Sequence, residues 1–385
     1  MRKVVIAGVG IHPFGRFPQK DYRQLGREAV VMALKDANVE WKDIQGAFVG
    51  NVMAEMAAGH NILQPLGVTG IPIINIENAC ASSGSSLRLA YEAIRHGIHD
   101  IALVVGVEKA PRGFVANSGY DRWQMWTGLG VNPIYFAMQA QEHMIRWGTT
   151  VEQLAKVSVK NHRNAVHNPY AMYRKEVSLE EVINSKRVCD PLTLLMLCAP
   201  NEGAAAAVLC AEDVVRKFTS RYVEVAAAEL CTRLAGDMFV PAVSVPVGLR
   251  HASLTQRAAA QAYEAAGIGP EDLDLVELQD TDVGSEIVYM EGLGLCAMGE
   301  AGKLIDDGAT ESDGRIPVNV SGGLLSKGEP LGASSLGQIV EVTWQLRGDA
   351  GPRQLRRARV GLSHSEGAGG NCSVIILKKR VGWKV

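Results

Sequence analysis

Apolar positions recur at helical spacing along residues 27–37, with Ala29, Ala33 and Ala37 on one stripe, and the stripe stops at Asn38, a residue suited to a helix C-cap. The apolar run Ala47-Phe48-Val49 then reads as a strand. About 230 residues later the order returns: Ala258, Ala262, Ala265 and Ala266, a stop at Gly267, and the strand Leu275-Val276. A period this long predicts a duplicated half rather than a solenoid. A second element is also paired. Ser82-Ser83-Gly84 leads into a helix over 87–96 and a strand over 101–105, while Ala333-Ser334-Ser335 leads into a helix over 339–346 and a strand over 358–362.

Strands apolar on both faces and alternating with helices predict an α/β fold of mostly parallel sheets covered by helices. Two such sheets stacked make a five-layer αβαβα sandwich of two halves, 1–245 and 246–385, joined by a linker over 241–247. From 111 to 190 the pattern turns irregular, aromatic and basic, which predicts an inserted loop domain. Tyr120, Trp123, Trp126, Tyr135 and Phe136 would fill its core. The first half resumes at the small-residue strand Gly203-Ala204-Ala205-Ala206-Ala207-Val208-Leu209-Cys210.

Composition narrows the class. The chain has 385 residues, 47% apolar and 21% charged, enough to bury more than one core and too apolar for a disordered protein. A net charge of -2 argues against a nucleic-acid partner. No apolar run reaches membrane-spanning length, and Met1-Arg2-Lys3-Val4-Val5-Ile6 reads as a first strand, so the expected compartment is the cytoplasm. The seven cysteines are scattered without paired spacing, which predicts neither disulfides nor a metal in this chain. Two motifs fail. Gly8-Val9-Gly10 has Pro13 where the dinucleotide fingerprint needs its third glycine, and Gly361-Leu362-Ser363-His364-Ser365 ends in serine where a hydrolase elbow needs glycine.

Candidate chemistry centres on Asn75-Ile76-Glu77-Asn78-Ala79-Cys80-Ala81-Ser82-Ser83-Gly84, which sets a cysteine at a turn between strand and helix N-terminus. Free N–H groups and the positive helix end would favour a thiolate there and could hold an oxyanion. A small cysteine filling a helix–sheet junction is the other reading of the same residue.

This segment resembles the nucleophile loop of the thiolase superfamily. The likeness extends over nearly the whole chain, through Asp190-Pro191-Leu192-Thr193, Glu202-Gly203-Ala204, Glu291-Gly292-Leu293-Gly294-Leu295-Cys296 and Asn319-Val320-Ser321-Gly322-Gly323-Leu324-Leu325-Ser326-Lys327-Gly328-Glu329-Pro330. These pieces are similar to the sterol-carrier-protein-type branch. The resemblance implies two βαβαβαββ-type halves with an inserted loop domain, coenzyme A as substrate, and Cys80 as the acyl carrier. It also implies a homodimer, with the sheet edge near the nucleophile loop as contact.

Two departures stand out. The family's Gly-His-Pro histidine, which helps activate the thiol, is replaced by Glu329, and the histidine that opens a second motif is Gln279 in Gln279-Asp280-Thr281-Asp282. Glu329 could serve as base if burial raises its pKa, and Gln279 could donate to a thioester carbonyl. Thr281 stands where some branch members carry a catalytic cysteine, so another acid/base is needed. The glycine-rich segment 361–370 offers His364, and the Gly369 backbone with the Cys80 amide would form the oxyanion hole. Lys160 and Arg163 of the insert, with Ser321 and Gly322, are the candidate CoA contacts.

The expected function is a thiolase cleaving or forming a β-ketoacyl-CoA. The nearest specific likeness is to large subunits of benzoylsuccinyl-CoA thiolases, which would imply benzoyl-CoA and succinyl-CoA as products and a small OB-fold/zinc-ribbon partner. A retro-aldolase of the same fold acting on a β-hydroxyacyl-CoA, and a non-catalytic acyl-CoA-binding scaffold, are the alternatives.

Overall fold

The computed structural model describes residues 1–113, 119–235, 237–240, 243–246 and 252–380. Its large sheet has nine strands: β1 (Val4–Gly15), β2 (Gly46–Gly50), β3 (Ile73–Ile76), β4 (Ile101–Lys109), β5 (Glu202–Ala211), β6 (Val223–Thr232), β7 (Leu275–Glu277), β8 (Val360–Gly367) and β9 (Asn371–Lys379). They lie in the order β7-β8-β9-β6-β1-β5-β4-β2-β3. The ladders β2–β3, β2–β4 and β7–β8 are parallel, and the other five are antiparallel. The expectation of mostly parallel sheets is therefore corrected. Strands covered by helices on both faces are apolar on both faces whichever way their neighbours run, so patterning alone could not separate the two cases.

The duplication appears as matched topology. The series β1-β5-β4-β2 and β6-β9-β8-β7 pass through the same succession of antiparallel, antiparallel and parallel ladders. The two series meet at only two rungs, Val5–Glu224 and Ile6–Val223. By its ladder β6 goes with the second series, although residues 223–232 lie before the division expected at 245/246. Of the expected linker, residues 241, 242 and 247 lie outside the described residues.

Eight helices matter here: α1 (Tyr22–Ala37), α2 (Ser82–Arg95), α3 (Asn132–Trp147), α4 (Val151–Ala165), α5 (Leu254–Ala266), α6 (Val283–Gly292), α7 (Gly323–Lys327) and α8 (Ser334–Arg347). The duplicated helices α1 and α5 begin with the same device, a reciprocal capping box, Asp21 with Gln24 and Ser253 with Gln256. They end at residues in the left-handed conformation, Asn38 and Gly267. The apolar stripe of α1 (Leu25, Ala29, Ala33) packs on Val5, Val49, Leu103 and Ala206 of the first half-sheet. That of α5 (Leu254, Ala258, Ala262) packs on Leu362, Val374 and Ile376 of the second. Between them, Leu87 and Ile94 of α2 and Leu336 and Ile339 of α8 share one core with the inner faces of both half-sheets. The layers run α1, sheet, α2 with α8, sheet, α5, as the five-layer reading requires.

In the insert, Tyr135, Phe136 and Leu154 join the core under α5, whereas Trp123 and Trp126 are 55% and 81% exposed and fill nothing. Among the described residues no helix is long and apolar enough to cross a membrane.

Candidate active site around Cys80 and Glu329

The chain leaves β3 at Ile76 and enters α2 at Ser82 through a turn in which Ala79 takes a positive φ of 48°, a conformation that costs a residue with a Cβ and holds only when its surroundings enforce it. Local bonds supply that enforcement. Ser82 Oγ donates to the Ala79 carbonyl (2.6 Å) and accepts from Asn78 N (2.9 Å), while Glu77 Oε1 accepts from Ala79 N (2.7 Å). From the second half, Ser335 Oγ donates to the Cys80 carbonyl (2.8 Å) and also bonds Ser365 Oγ of β8 (2.7 Å). A Cβ on Gly367 would lie 2.4 Å from Asn78 O and 3.1 Å from Cys80 N, so only glycine lets β8 approach the turn this closely.

Three segments then converge on the sulfur. The stretch 197–201 bridges Asp282 through Leu197 and Glu329 through Pro200, and Cys198 N donates to Thr281 O (2.9 Å). Glu329, buried at 2% exposure, becomes the hub. Its Oε2 accepts from Cys198 Sγ (2.8 Å), its Oε1 from Gln279 Nε2 (2.7 Å), and the Cys80 thiol lies beside the same carboxylate. Burial raises the Glu329 pKa above the ordinary carboxylate value, against the lowering effect of these three donors.

The expectation of a lowered Cys80 pKa is corrected. Cys80 keeps some exposed surface as a residue, but its sulfur is enclosed, and enclosure first, then the Glu329 charge, hold the thiol well above its usual range. The lowering influence is one backbone N–H, that of Ala368. The backbone amide beside the resting sulfur is that of Ala368, and Gly369, the next residue, is exposed with φ of 89°.

Gln279 lies where expected but is turned differently. Both protons of its amide are engaged, by Glu329 and by Thr281 Oγ1 (3.0 Å), so it fixes the carboxylate instead of offering a donor, and its buried Oε1 has no partner. Asp280 and Asp282 build the frame. Asp280 accepts from Leu324 N (2.6 Å) and Leu325 N (3.2 Å), pinning α7 just ahead of Glu329, and Asp282 caps α6.

Other sequence candidates lie elsewhere. The segment around His364 is strand rather than loop, so its side chains alternate: Ser363 and Ser365 face α8, and His364 faces Thr255 of α5 (3.0 Å) and the Tyr289 ring (4.6 Å). Burial alone takes its pKa down to about 3, leaving a neutral imidazole on the face away from α8. There the fold gathers His364, Glu366 and Cys372 with ligand atoms within 4.8 Å of one another, a grouping that cysteine spacing did not foretell. The Thr255 hydroxyl already bonds His364 and Glu366 (3.1 Å).

Lys160 is no phosphate contact. It is 3% exposed, and its Nζ binds Glu286 Oε1 (2.6 Å) and the Val318 carbonyl (2.9 Å), tying α4 to α6. Ser321 is held by Glu277 through N (2.9 Å) and Oγ (2.5 Å), and Gly322 packs on Ala165. Arg163 is exposed and paired with Glu311. It lines a cleft of about 660 Å3 with Arg315, Arg353 and Arg357, where the chain enters β7 and β8. Gln279 follows β7 and Gly367 closes β8, so this cleft lies at the opposite ends of those strands from the Cys80 turn. Cys198, by contrast, went unnoticed in the sequence. Its one signal is its position four residues ahead of β5, since an isolated cysteine before Ala199-Pro200 has no periodicity to betray it.

A cysteine turn at a helix N-terminus beside a buried carboxylate, on a duplicated five-layer fold, is the arrangement of an acyltransferase. Family models described as "Thiolase, N-terminal domain" and "Thiolase C-terminal domain-like" match residues 4–213 and 249–379, and the chain belongs to the thiolase family. It is 39% identical to an acetyl-CoA acetyltransferase of Methanothermobacter thermautotrophicus, over 98% of this chain and all of that one. It is 38% identical to the benzoylsuccinyl-CoA thiolase subunit BbsB of Thauera aromatica (96% and 95%) and to human sterol carrier protein 2 (98% and 72%). Among solved structures the fold matches the Ltp2-ChsH2(DUF35) aldolase (TM-score 0.87, 24% identity, 99% of each chain). It also matches human mitochondrial 3-ketoacyl-CoA thiolase in complex with CoA (0.74, 17%, 99% and 98%).

Proposed function

We propose that the chain is a coenzyme A-dependent thiolase that cleaves, or in reverse builds, a β-ketoacyl-CoA through an acyl group carried on Cys80. The observation that carries this reading is the placement of the enclosed Cys80 thiol beside the buried Glu329 carboxylate at the N-terminus of α2. With Glu329 ionised, the pair holds one negative charge. Passing the thiol proton to the carboxylate moves that charge to sulfur without adding a second, so burial opposes the transfer far less than it opposes ionising the thiol alone. The Ala368 N–H and the helix N-terminus then face the thiolate. Attack on the β-keto carbon gives a tetrahedral oxyanion held by backbone N–H groups. Carbon–carbon cleavage leaves the enolate of the shorter acyl-CoA, which takes a proton, and the CoA thiol then removes the acyl group from Cys80 in a ping-pong cycle.

The substrate we favour is aromatic and dicarboxylic, benzoylsuccinyl-CoA giving benzoyl-CoA and succinyl-CoA. The identity to BbsB supports it. CoA as second substrate is supported by the related human thiolase with CoA. A small OB-fold/zinc-ribbon partner subunit is supported by BbsB being a subunit and by the DUF35 complex. The edge position of β3, with Ile74 45% exposed, supports a homodimer joined there. Incubation with a panel of β-ketoacyl-CoAs followed by intact-mass measurement should show an acyl adduct that Cys80→Ser abolishes. No adduct with any of them sinks the reading.

A retro-aldol cleavage of a β-hydroxyacyl-CoA is the second reading, favoured by the raised Cys80 thiol and by glutamate and glutamine standing at 329 and 279. Turnover that survives Cys80→Ser would establish it.

A further inference from the structure

Thiolase chemistry needs two proton-handling groups, one to activate the nucleophile and one to protonate the carbanion released when the carbon–carbon bond breaks. Glu329 can serve the first need only. His364, the sequence candidate for the second, points to the other face of β8. Gln279 has spent both its amide protons, and Thr281 is an alcohol. A second thiol stands at the carboxylate beside Cys80. Cys198 Sγ donates to Glu329 Oε2 at 2.8 Å, so the two thiols share one carboxylate. The backbone at Cys198 is bonded to Thr281, and Gln279 Oε1, buried and without a partner, adjoins the same carboxylate and gives an incoming donor a place to bind.

We infer that Cys198 is the catalytic acid/base acting on the α-carbon, an inference that rests on the thiolase reading above. In the cleavage direction the Cys80 proton goes to Glu329. The carbon–carbon bonding pair passes to the α-carbon as an enolate, and Cys198 S–H protonates that carbon. The resulting Cys198 thiolate faces a Glu329 that is now a neutral acid, so the two are not like charges in one pocket. Glu329 then returns its proton to Cys198 across their hydrogen bond and takes the proton of the incoming CoA thiol. The CoA thiolate displaces the acyl group from Cys80, and Glu329 returns its proton to the departing Cys80 thiolate. Each group ends as it began. In reverse, Cys198 removes an α-proton from an acyl-CoA, a step that can be observed alone.

Acetyl-CoA and succinyl-CoA in D2O provide that test, with α-proton exchange followed by NMR and Cys80 acylation by acetyl-CoA, succinyl-CoA and benzoyl-CoA followed by intact mass. Wild-type protein should show both. Cys198→Ala should slow exchange by about 10² to 10⁴-fold, the usual worth of a general acid/base, with Cys80 acylation retained. Cys198→Ser keeps the shape and the hydrogen bond to Glu329 but not the acidity, and it should be as slow as alanine. Adding Thr281→Cys to Cys198→Ala puts a sulfur beside Gln279 and should recover part of the exchange. Three results overturn the inference: exchange in Cys198→Ala within threefold of wild type, recovery by serine, or loss of acylation together with exchange, which would make Cys198 a positioning group for Glu329. A wild-type protein that acylates Cys80 but exchanges no α-proton overturns it too. Failure of every thioester to acylate wild-type Cys80 is a different result and removes the thiolase reading itself.

Discussion

Glu329→Gln separates a base from a mere neighbour. The swap keeps the shape, and the new amide oxygen can still accept from Gln279 Nε2 at the 2.7 Å now taken by Oε1. What disappears is the charge and the acceptor that Cys80 and Cys198 share. Two effects of opposite sign follow. The Glu329 charge and its hydrogen bond are among the causes that hold the Cys80 thiol high, so its removal should let the thiol ionise at lower pH and react faster with iodoacetamide. Turnover should nevertheless fall by about 10² to 10⁴-fold, or roughly 3–5 kcal/mol of barrier, because no group remains to take the proton within the closed site. The wild-type profile should also carry an acid limb. The base form of Glu329 is the active one and its pKa lies above 4.5, so activity should rise with pH through a midpoint above that value, and the variant should lack the limb. Alkylation rates, kcat/KM against pH and thermal melts on both proteins decide the matter. Faster alkylation together with undiminished turnover would refute the reasoning, since Glu329 would then only restrain the thiol.

Other perturbations test the frame. Asp282 caps α6 and burial raises its pKa to about 6 from 3.8, so the folded state binds its proton more tightly than the unfolded chain does. The stability this lends is present below pH 3.8 and lost as pH climbs through 6. Asp282→Asn, which can still cap, should therefore gain about 3 kcal/mol on wild type between pH 4 and 7 in urea unfolding. Lys160→Ala leaves the buried Glu286 charge without its cation, held by the neutral amides of Asn161 and Asn319, and should cost about 3–5 kcal/mol, whereas Arg163→Ala should leave both stability and the KM for CoA unchanged. Gly367→Ala pushes a methyl against the backbone of the Cys80 turn and should reduce kcat by about 10²-fold while costing about 1–3 kcal/mol in urea unfolding.

Elements with local causes were legible in the sequence. The duplicated helices carried their own stripes and stops, and Ala79-Cys80-Ala81 announced a turn by lying between an apolar strand and a serine-rich helix start. Glu329 and Gln279 were found because each broke an otherwise intact motif. Failures came where tertiary partners decide. Lys160 reads as a surface charge until Glu286, 126 residues away, is known to meet it. His364 sits in Gly361-Leu362-Ser363-His364-Ser365-Glu366-Gly367, whose glycines and serines suggested a loop. The ladder with β9 makes it a strand, and strand alternation then sets which face each side chain takes. Cys198 gains meaning only from Glu329, 131 residues further on.

The two halves are alike in topology but not in employment. Counting back from the helix starts, Ala81 of α2 corresponds to Ala333 of α8, and the residue matching Cys80 is Gly332. A Cβ there would lie 2.4 Å from the Val107 carbonyl and 2.6 Å from the Asn51 Cα. The twin of the Cys80 position is therefore blocked by main chain of the first half. Duplication has yielded unlike partners: the second half lends Glu329, Ser335 and Ala368 to its sibling's cysteine, and a side chain at its own matching position would meet main chain.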